Sequence, residues 1–314
     1  ISKPGYASSA QIITPQPDFE QSLSITLLTE AAAALARIPE EIETSIGSRL
    51  RRILPGEVAL GAPRRDRGGR GNEVQRTVRL SNPYYLGITE ITNAQYAAFN
   101  PNHNPGVLGR TRLTTANRPV VGLSWKEAIA FCNWLSDRES LPRAYEVSGD
   151  SFRLITPRTE GYRLPTEAEW VRAGRYADGT GPSRFPWGDA LPPPESFANL
   201  ADSAAMGLAP NIIADYADGF RGPAPVGHFE ANALGIFALS GNVAEWTHDR
   251  FSTARSTTVE VDWMGPETGE VFVIRGSSFL TGTFSALRWA YRDSGRAGRQ
   301  ELGCRWARAV SRGD

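Results

Sequence analysis

Several groups of residues in this chain have the types and spacing to do chemistry. In RLPTEAEW, Arg163 precedes two carboxylates, Glu167 and Glu169. Paired carboxylates can share general acid and general base roles, but these also suit a capped helix start whose acids are held by arginine, and that scaffold reading is preferred. In SGNVAEWTHD, Asn242 and Glu245 put two oxygen donors within one turn, and the carbonyls between them can add more. Calcium takes such a hard-oxygen shell; an Asx-turn with a solvent salt bridge would use the same residues. The three histidines, His103, His228 and His248, are widely spaced and form no His-x-x-x-His pattern. Each therefore reads as a lone histidine rather than a metal ligand. Cys132 and Cys304 permit one disulfide without requiring it. The basic, glycine-rich stretch 64–71 lacks the Gly-Lys-Ser/Thr ending of a phosphate-binding loop and reads as an exposed loop. No Ser-His-Asp order or metal-ligand cluster supplies a reactive group.

The elements that must position these residues are short. Helices are expected at Asn93–Phe99 after the Thr92 cap, at Trp125–Ser136 after Ser124, and after Thr166 in PTEAEWVRAGR. Strands are expected at Val271–Arg275 and Gly303–Ala307. Residues 1–30 read as a β-hairpin appendage with an alternating run at Ser22–Leu27. The Ala-rich stretch 31–52, with its Pro39-Glu-Glu start, reads as a helical connector, and the main domain runs over 53–314. With 31 Gly, 22 Pro and 8 Trp, turns and aromatic anchors dominate over long helices. The class is therefore α+β with much irregular structure. Lys+Arg and Asp+Glu are both 34, so no net field gathers nucleic acid or an anionic membrane. No run approaches the ~20 apolar residues of a transmembrane helix. The opening ISKPGY is neither a start Met nor a signal peptide, which reads as a fragment or mature form.

The ordered series LRRILPGEVALGAP, PYYLGITEITNAQYAAF, RPVVGLSWKEAIAFCNWLS, GYRLPTEAEW, FPWGD, APVGHFEANALGIFALSGNVAEW, VIRGSSF and LGCRWARA resembles the formylglycine-generating enzyme (sulfatase-modifying factor) family. The resemblance implies a divergent C-type-lectin-like fold with a small twisted antiparallel sheet, few helices and two structural calcium ions. One would be held by Asn242, Val243 and Glu245 with Gly241 nearby, the other by Asn199, Leu200, Asp218 and Phe220. It also implies a serine at Ser278, with copper-binding cysteines where this chain has Thr281 and Ala286. Neither side chain can be a thiolate, so copper(I) and cysteine oxidation are not expected. Cys132 lies where some members have a structural cysteine, but Cys304 is two positions short of its partner, so both are read as buried free thiols.

What the resemblance leaves is a ligand groove lined by Trp246, Ser278, Thr281, Phe284, Arg288 and Trp289. It points to a calcium-stabilised, non-catalytic module that binds a protein, peptide or small molecule. A non-thiol enzyme acting on a peptide-like substrate, as in pyoverdine-maturation relatives, is the alternative. A variable protein of the diversity-generating type shares the fold but is disfavoured, since 275–308 contains no Asn. The start of the chain is similar to the end of a PEGA domain, a bacterial surface module. With the calcium sites, it suggests a periplasmic or extracellular setting.

Overall fold

The structure, a computed structural model, describes residues 2–12, 14, 22, 24–149, 151–179 and 183–310. The described elements begin with α1 (Glu30–Arg37), β1 (Glu41–Glu43), β2 (Arg49–Ile53), β3 (Gly56–Leu60), β4 (Arg76–Leu80), β5 (Tyr84–Gly87) and α2 (Asn93–Ala97). Next come β6 (Val107–Leu108), β7 (Thr111–Arg112), α3 (Trp125–Arg138), β8 (Tyr145–Ser148), β9 (Ser151–Leu154), β10 (Tyr162–Arg163) and α4 (Glu167–Arg175). The chain closes with β11 (Ala244–Arg250), β12 (Glu260–Val261), β13 (Phe272–Arg275), β14 (Asp293–Gly295), β15 (Leu302–Gly303) and β16 (Ala307–Ala309). This is a sheet-rich α+β architecture with few helices and long irregular connections.

Helices begin where hydroxyl residues stand. Thr92, Ser124 and Thr166 each accept the N3 amide, and Gln95, Glu127 and Glu169 each return a side-chain bond to the cap amide, so capping boxes open α2, α3 and α4. α2 ends earlier than expected, at Ala97, and α3 runs on to Arg138.

Two compact units are present: a smaller one carrying α1, and a main unit spanning Glu41–Val310. In the smaller unit Tyr6 bridges Thr29, whose hydroxyl accepts the Ala32 amide and caps α1. Residues 22 and 24–27 carry no strand, and Leu23 of the expected alternating run lies outside the described residues.

The expected helix over 31–52 is corrected. α1 stops at Arg37, and Glu41–Ile53 forms an antiparallel hairpin of the main unit, with Glu41 opposite Arg51. Three features favour the hairpin. Gly47 takes the positive φ of +73° that the turn needs, Leu50 and Ile53 are buried, and Arg51 pairs with Glu41 at 2.6 Å.

The largest sheet has strand order β1-β2-β5-β16-β10, antiparallel throughout, so the last strand lies near its centre. A second sheet, β14-β13-β11-β15, joins β15 to β11 in parallel, and a third is ordered β12-β4-β3. α4 packs Ala168, Trp170, Val171 and Ala173 against Val58, Leu60, Val78, Leu86 and Trp289 to form the main core. The expected strand Gly303–Ala307 divides into β15 and β16, which belong to different sheets. Between them Arg305 turns inward to Glu245.

The scaffold reading of RLPTEAEW holds. Arg163 grips Glu169 at 2.6 and 2.7 Å, and Glu167 binds Arg292 at 2.7 and 2.8 Å, all of them buried. Cys132 and Cys304 are free and buried, and burial pushes both thiols up in pKa. His248 is likewise pushed down to about 3 by burial, and its Nδ1 meets the Tyr145 hydroxyl at 3.2 Å.

Candidate functional site

Two loop regions, 183–241 and 276–292, carry most of the residues singled out in the sequence. Ser278 and Thr281 form a closed turn: the Thr281 Oγ1 accepts the Ser278 amide at 3.0 Å and lies 3.2 Å from the Ser278 hydroxyl. The Ser278 hydroxyl also accepts the Leu280 amide at 3.2 Å, and among the described residues no histidine or carboxylate bonds either hydroxyl. Ser278 is buried at 2% exposure. Ala286, where the resemblance would put the second thiol, donates its amide to the Thr283 carbonyl at 3.0 Å, and its carbonyl accepts from the Ser277 hydroxyl at 3.5 Å.

The six expected groove residues do not share one groove. Trp246 is fully buried, with Nε1 donating to the Leu123 carbonyl. Phe284 packs edge-on against Phe185 at 5.1 Å and covers a small satellite core. Arg288 is a clamp: it binds Asp66 at 3.0 Å, the Gly68 carbonyl at 2.6 Å and Glu73, pinning the basic loop at 64–71. Trp289 alone of the six lines the best-formed cavity, a space of about 240 Å³. Phe197, Phe229, Ile236 and Leu239 make the apolar walls, and Arg175, Ser183, Glu230, Asn232 and Ser240 supply polar edges.

α4 and Trp289 set the shape of this cavity. Trp289 meets Trp170 edge-on at 5.8 Å, and a Cβ at Gly174 would fall 2.7 Å from the Trp289 ring. Only glycine allows that approach. Apolar walls with a few fixed polar groups suit a small ligand or an inserted side chain. In the sequence, 229–241 reads as part of a family motif, with Gly241 beside a calcium turn, but not as a cavity wall.

The two turns proposed for calcium differ in what already satisfies them. At the first, Glu245 receives Arg305 Nε at 3.0 and 2.8 Å, Arg305 Nη2 at 2.6 Å and the Trp170 indole at 2.8 Å. Both carboxylate oxygens are engaged and a cation is already in place. Asn242, at φ +60°, has its Oδ1 filled by the Ala224 and Asn199 side, at 2.8 and 3.1 Å, and its amide donates to Glu90 at 2.8 Å. Gly241 donates to the Ser277 carbonyl, and Val243 is buried. The Glu245 side chain does not fit a calcium shell.

The second turn is incompletely satisfied. Asn199 is fully buried, its amide nitrogen donates to Gly222 and Asn242, and its Oδ1 has no partner. Asp218 accepts the Leu200 amide at 2.8 Å and the Phe220 amide at 2.9 Å. Its own amide donates to Asp202 at 3.0 Å. Among the described residues no arginine or lysine pairs with either aspartate. Burial raises the Asp218 carboxyl to about 6, with the Asp202 charge adding to the shift. Two buried carboxylates and an orphaned amide oxygen fit a hard cation. Asp202 escaped sequence reasoning because nothing local marks it. Among the described residues no cluster of three or more His, Cys, Asp or Glu side chains forms, so such a shell would draw on amide and carbonyl oxygens.

The sequence matches the model of the sulfatase-modifying factor enzyme 1-like domain over residues 37–310. It is 34% identical over 168 residues to the formylglycine-generating enzyme of Thermomonospora curvata, covering 52% of this chain and 45% of that protein. It is 34% identical over 138 residues to the inactive C-alpha-formylglycine-generating enzyme 2 of Bos taurus, covering 43% of this chain and 34% of that protein. Matches to the curated formylglycine-generating enzymes span less than half of their lengths. Among solved structures, Treponema denticola variable protein 1 superposes with a TM-score of 0.68 at 24% identity, covering 86% of this chain and 99% of that one, a likeness of fold.

Proposed function

This chain belongs to the sulfatase-modifying factor enzyme 1-like family, and from that premise we propose that it is a non-catalytic binding domain that receives a small molecule or peptide side chain in the Trp289 cavity. The observation that carries the reading is the contrast between two neighbouring regions. On the resemblance the family's thiol positions fall on Thr281 and Ala286; Thr281 is held in a turn with Ser278, while the cavity beside Trp289 stays open at about 240 Å³. A relative named as inactive in the same family supports a scaffold that outlives its chemistry.

Calcium belongs to the same proposal, at Asn199, Leu200, Asp202, Asp218 and Phe220. It would neutralise the two buried aspartates and fix the loop that forms one wall of the cavity. A weak site would fill where calcium is millimolar, which supports placing the domain in the bacterial envelope or outside the cell. On the same reading the smaller unit is the end of a preceding surface module.

The test takes the full chain with calcium. A set of short peptides and amino-acid derivatives is screened by tryptophan fluorescence and thermal shift, and cysteine peptides are incubated with copper(I) and oxygen. Expected are a saturable ligand whose effect disappears in Leu239→Trp, which fills the cavity, and no aldehyde in the peptide mass. Aldehyde formation, or ligand binding indifferent to Leu239→Trp, overturns the reading.

A further inference from the structure

A second depression, of about 430 Å³, opens where the β6–β7 hairpin and the turn after it meet the segment 219–222. Two close approaches hold these pieces together. Gly222 backs onto Thr111 so tightly that a Cβ there would fall 2.5 Å from the threonine methyl, an approach only glycine allows. The Val226 amide donates to the Asn117 carbonyl at 3.0 Å, and within that turn the Arg118 amide donates to the Thr115 carbonyl at 3.1 Å.

Arg112, Arg118 and Arg221 line this depression with the hydroxyl residues Thr111 and Thr115, and among the described residues no carboxylate or amide side chain does. Arg118 decides the reading. It is half-buried, its Nε is enclosed, and among the described residues nothing accepts from its guanidinium. The fully buried Arg163, Arg288 and Arg305 each hold a carboxylate instead. Arg112 is exposed and likewise has no acceptor among the described residues. Arg221 gives one terminal nitrogen to the Ala204 carbonyl at 3.0 Å. Its other terminal nitrogen lies 4.0 Å from where a Cβ would stand at Gly109, in the β6–β7 turn, so this guanidinium reaches toward the hairpin. Asp218, close by in sequence, spends its oxygens on the Leu200 and Phe220 amides.

We propose that this depression binds a phosphomonoester, held by Arg112, Arg118 and Arg221. A guanidinium taken partly out of water calls for an anion, and arginine has donors only, so it cannot satisfy its neighbours. Three arginines without a carboxylate leave three positive charges on one small surface. A carboxylate ligand would answer one of them; a phosphate near its dianionic form answers about two and presents three oxygens to forked donors. The Thr111 and Thr115 hydroxyls can donate to the same group. Phe220 is the one large apolar side chain on the lining, so recognition falls on the phosphate, whether a small metabolite or a phosphoserine side chain carries it.

Calorimetric titration of the calcium-loaded full chain tests this, with glycerol 3-phosphate in one arm and a short phosphoserine peptide in the other. The expected result is one site per chain with a Kd on the order of 0.1 mM at low salt in the tighter arm, which names the carrier, weakened several-fold by about 0.3 M salt. Arg118→Gln should weaken it at least about tenfold and the exposed Arg112→Gln about threefold or more. Arg79→Gln, which removes an equal charge from the exposed side of β4, should leave the affinity unchanged. Acetate should bind at least about tenfold more weakly than glycerol 3-phosphate. No saturable binding in either arm by a chain with a normal melting curve overturns the proposal. So does affinity indifferent to both Arg118→Gln and Arg112→Gln, or acetate binding as tightly as the phosphate.

Discussion

The turn at 241–245 and the loop at 199–220 both read in the sequence as oxygen-rich places for a cation, yet they stand in opposite electrostatic conditions. At the first, Arg305 supplies the positive charge from within the chain, and every oxygen of Glu245 has a donor. At the second, the Asp218 amide donates to Asp202, no arginine or lysine among the described residues pairs with either carboxylate, and the Asn199 oxygen is left without a partner. Ligand-type residues alone do not mark a metal site; the difference lies in whether the fold brings its own counter-charge.

The strongest way to break this comparison is to remove one member of the completed pair. Arg305→Ala or Glu245→Ala should cost about 3–5 kcal/mol, because each leaves an uncompensated buried charge. Chemical denaturation should show the same loss with calcium or with chelator. A loss confined to the calcium-loaded protein would put the metal at Glu245 after all.

Next in size is the packing that shapes the cavity wall. Gly174→Ala drives a methyl to 2.7 Å from Trp289, and overpacking of this kind costs about 1–3 kcal/mol. Thermal unfolding should fall accordingly, with tryptophan emission altered before unfolding begins.

At the incomplete loop the expected effect is conditional on the metal. Calcium should raise the melting temperature of the wild type, and Asp218→Asn should abolish most of that rise. An equal rise in the variant would remove Asp218 from the shell. The pH dependence sharpens this. Asp218 in the folded chain titrates at about 6, above an ordinary carboxylate, so without metal the native state holds the proton more tightly than the unfolded chain. In chelator, its contribution to stability is present at low pH and lost as pH rises through 6. The difference between wild type and Asp218→Asn isolates it from the opposite trend of the buried His248.

The smallest effect should be at the thiols. Cys132 and Cys304, at 0% and 1% exposure, should resist alkylation in the native protein and react only on unfolding. Rapid native labelling would contradict their burial.

Much of the framework was legible in the sequence because it is written locally. The caps at Thr92, Ser124 and Thr166 need only a hydroxyl and a partner three positions on, and the strand at Phe272–Arg275 needs only its apolar run. The Arg163–Glu169 pair is nearly as local. What escaped depends on distant partners. Residues 41–52 read in the sequence as part of a helical connector, but pairing of 50–53 with β5 and burial of Leu50 and Ile53 override that tendency. Arg288 looked like a ligand contact, yet its partners are Asp66, Gly68 and Glu73. Trp246 and Trp289 are alike as letters, but one is wholly enclosed and the other borders an open space.

The place of β16, inserted between β5 and β10, also bears on biosynthesis. The largest sheet opens with residues 41–53, but the place between its middle strand β5 and the edge strand β10 stays empty until residues 307–309 have been made. The same late segment delivers Arg305 to Glu245. A nascent chain therefore waits through most of its translation with β5 unpaired along one edge and a carboxylate lacking its partner. Loss of a few residues around β16 would leave the domain permanently in that state, a ready substrate for chaperones and proteases.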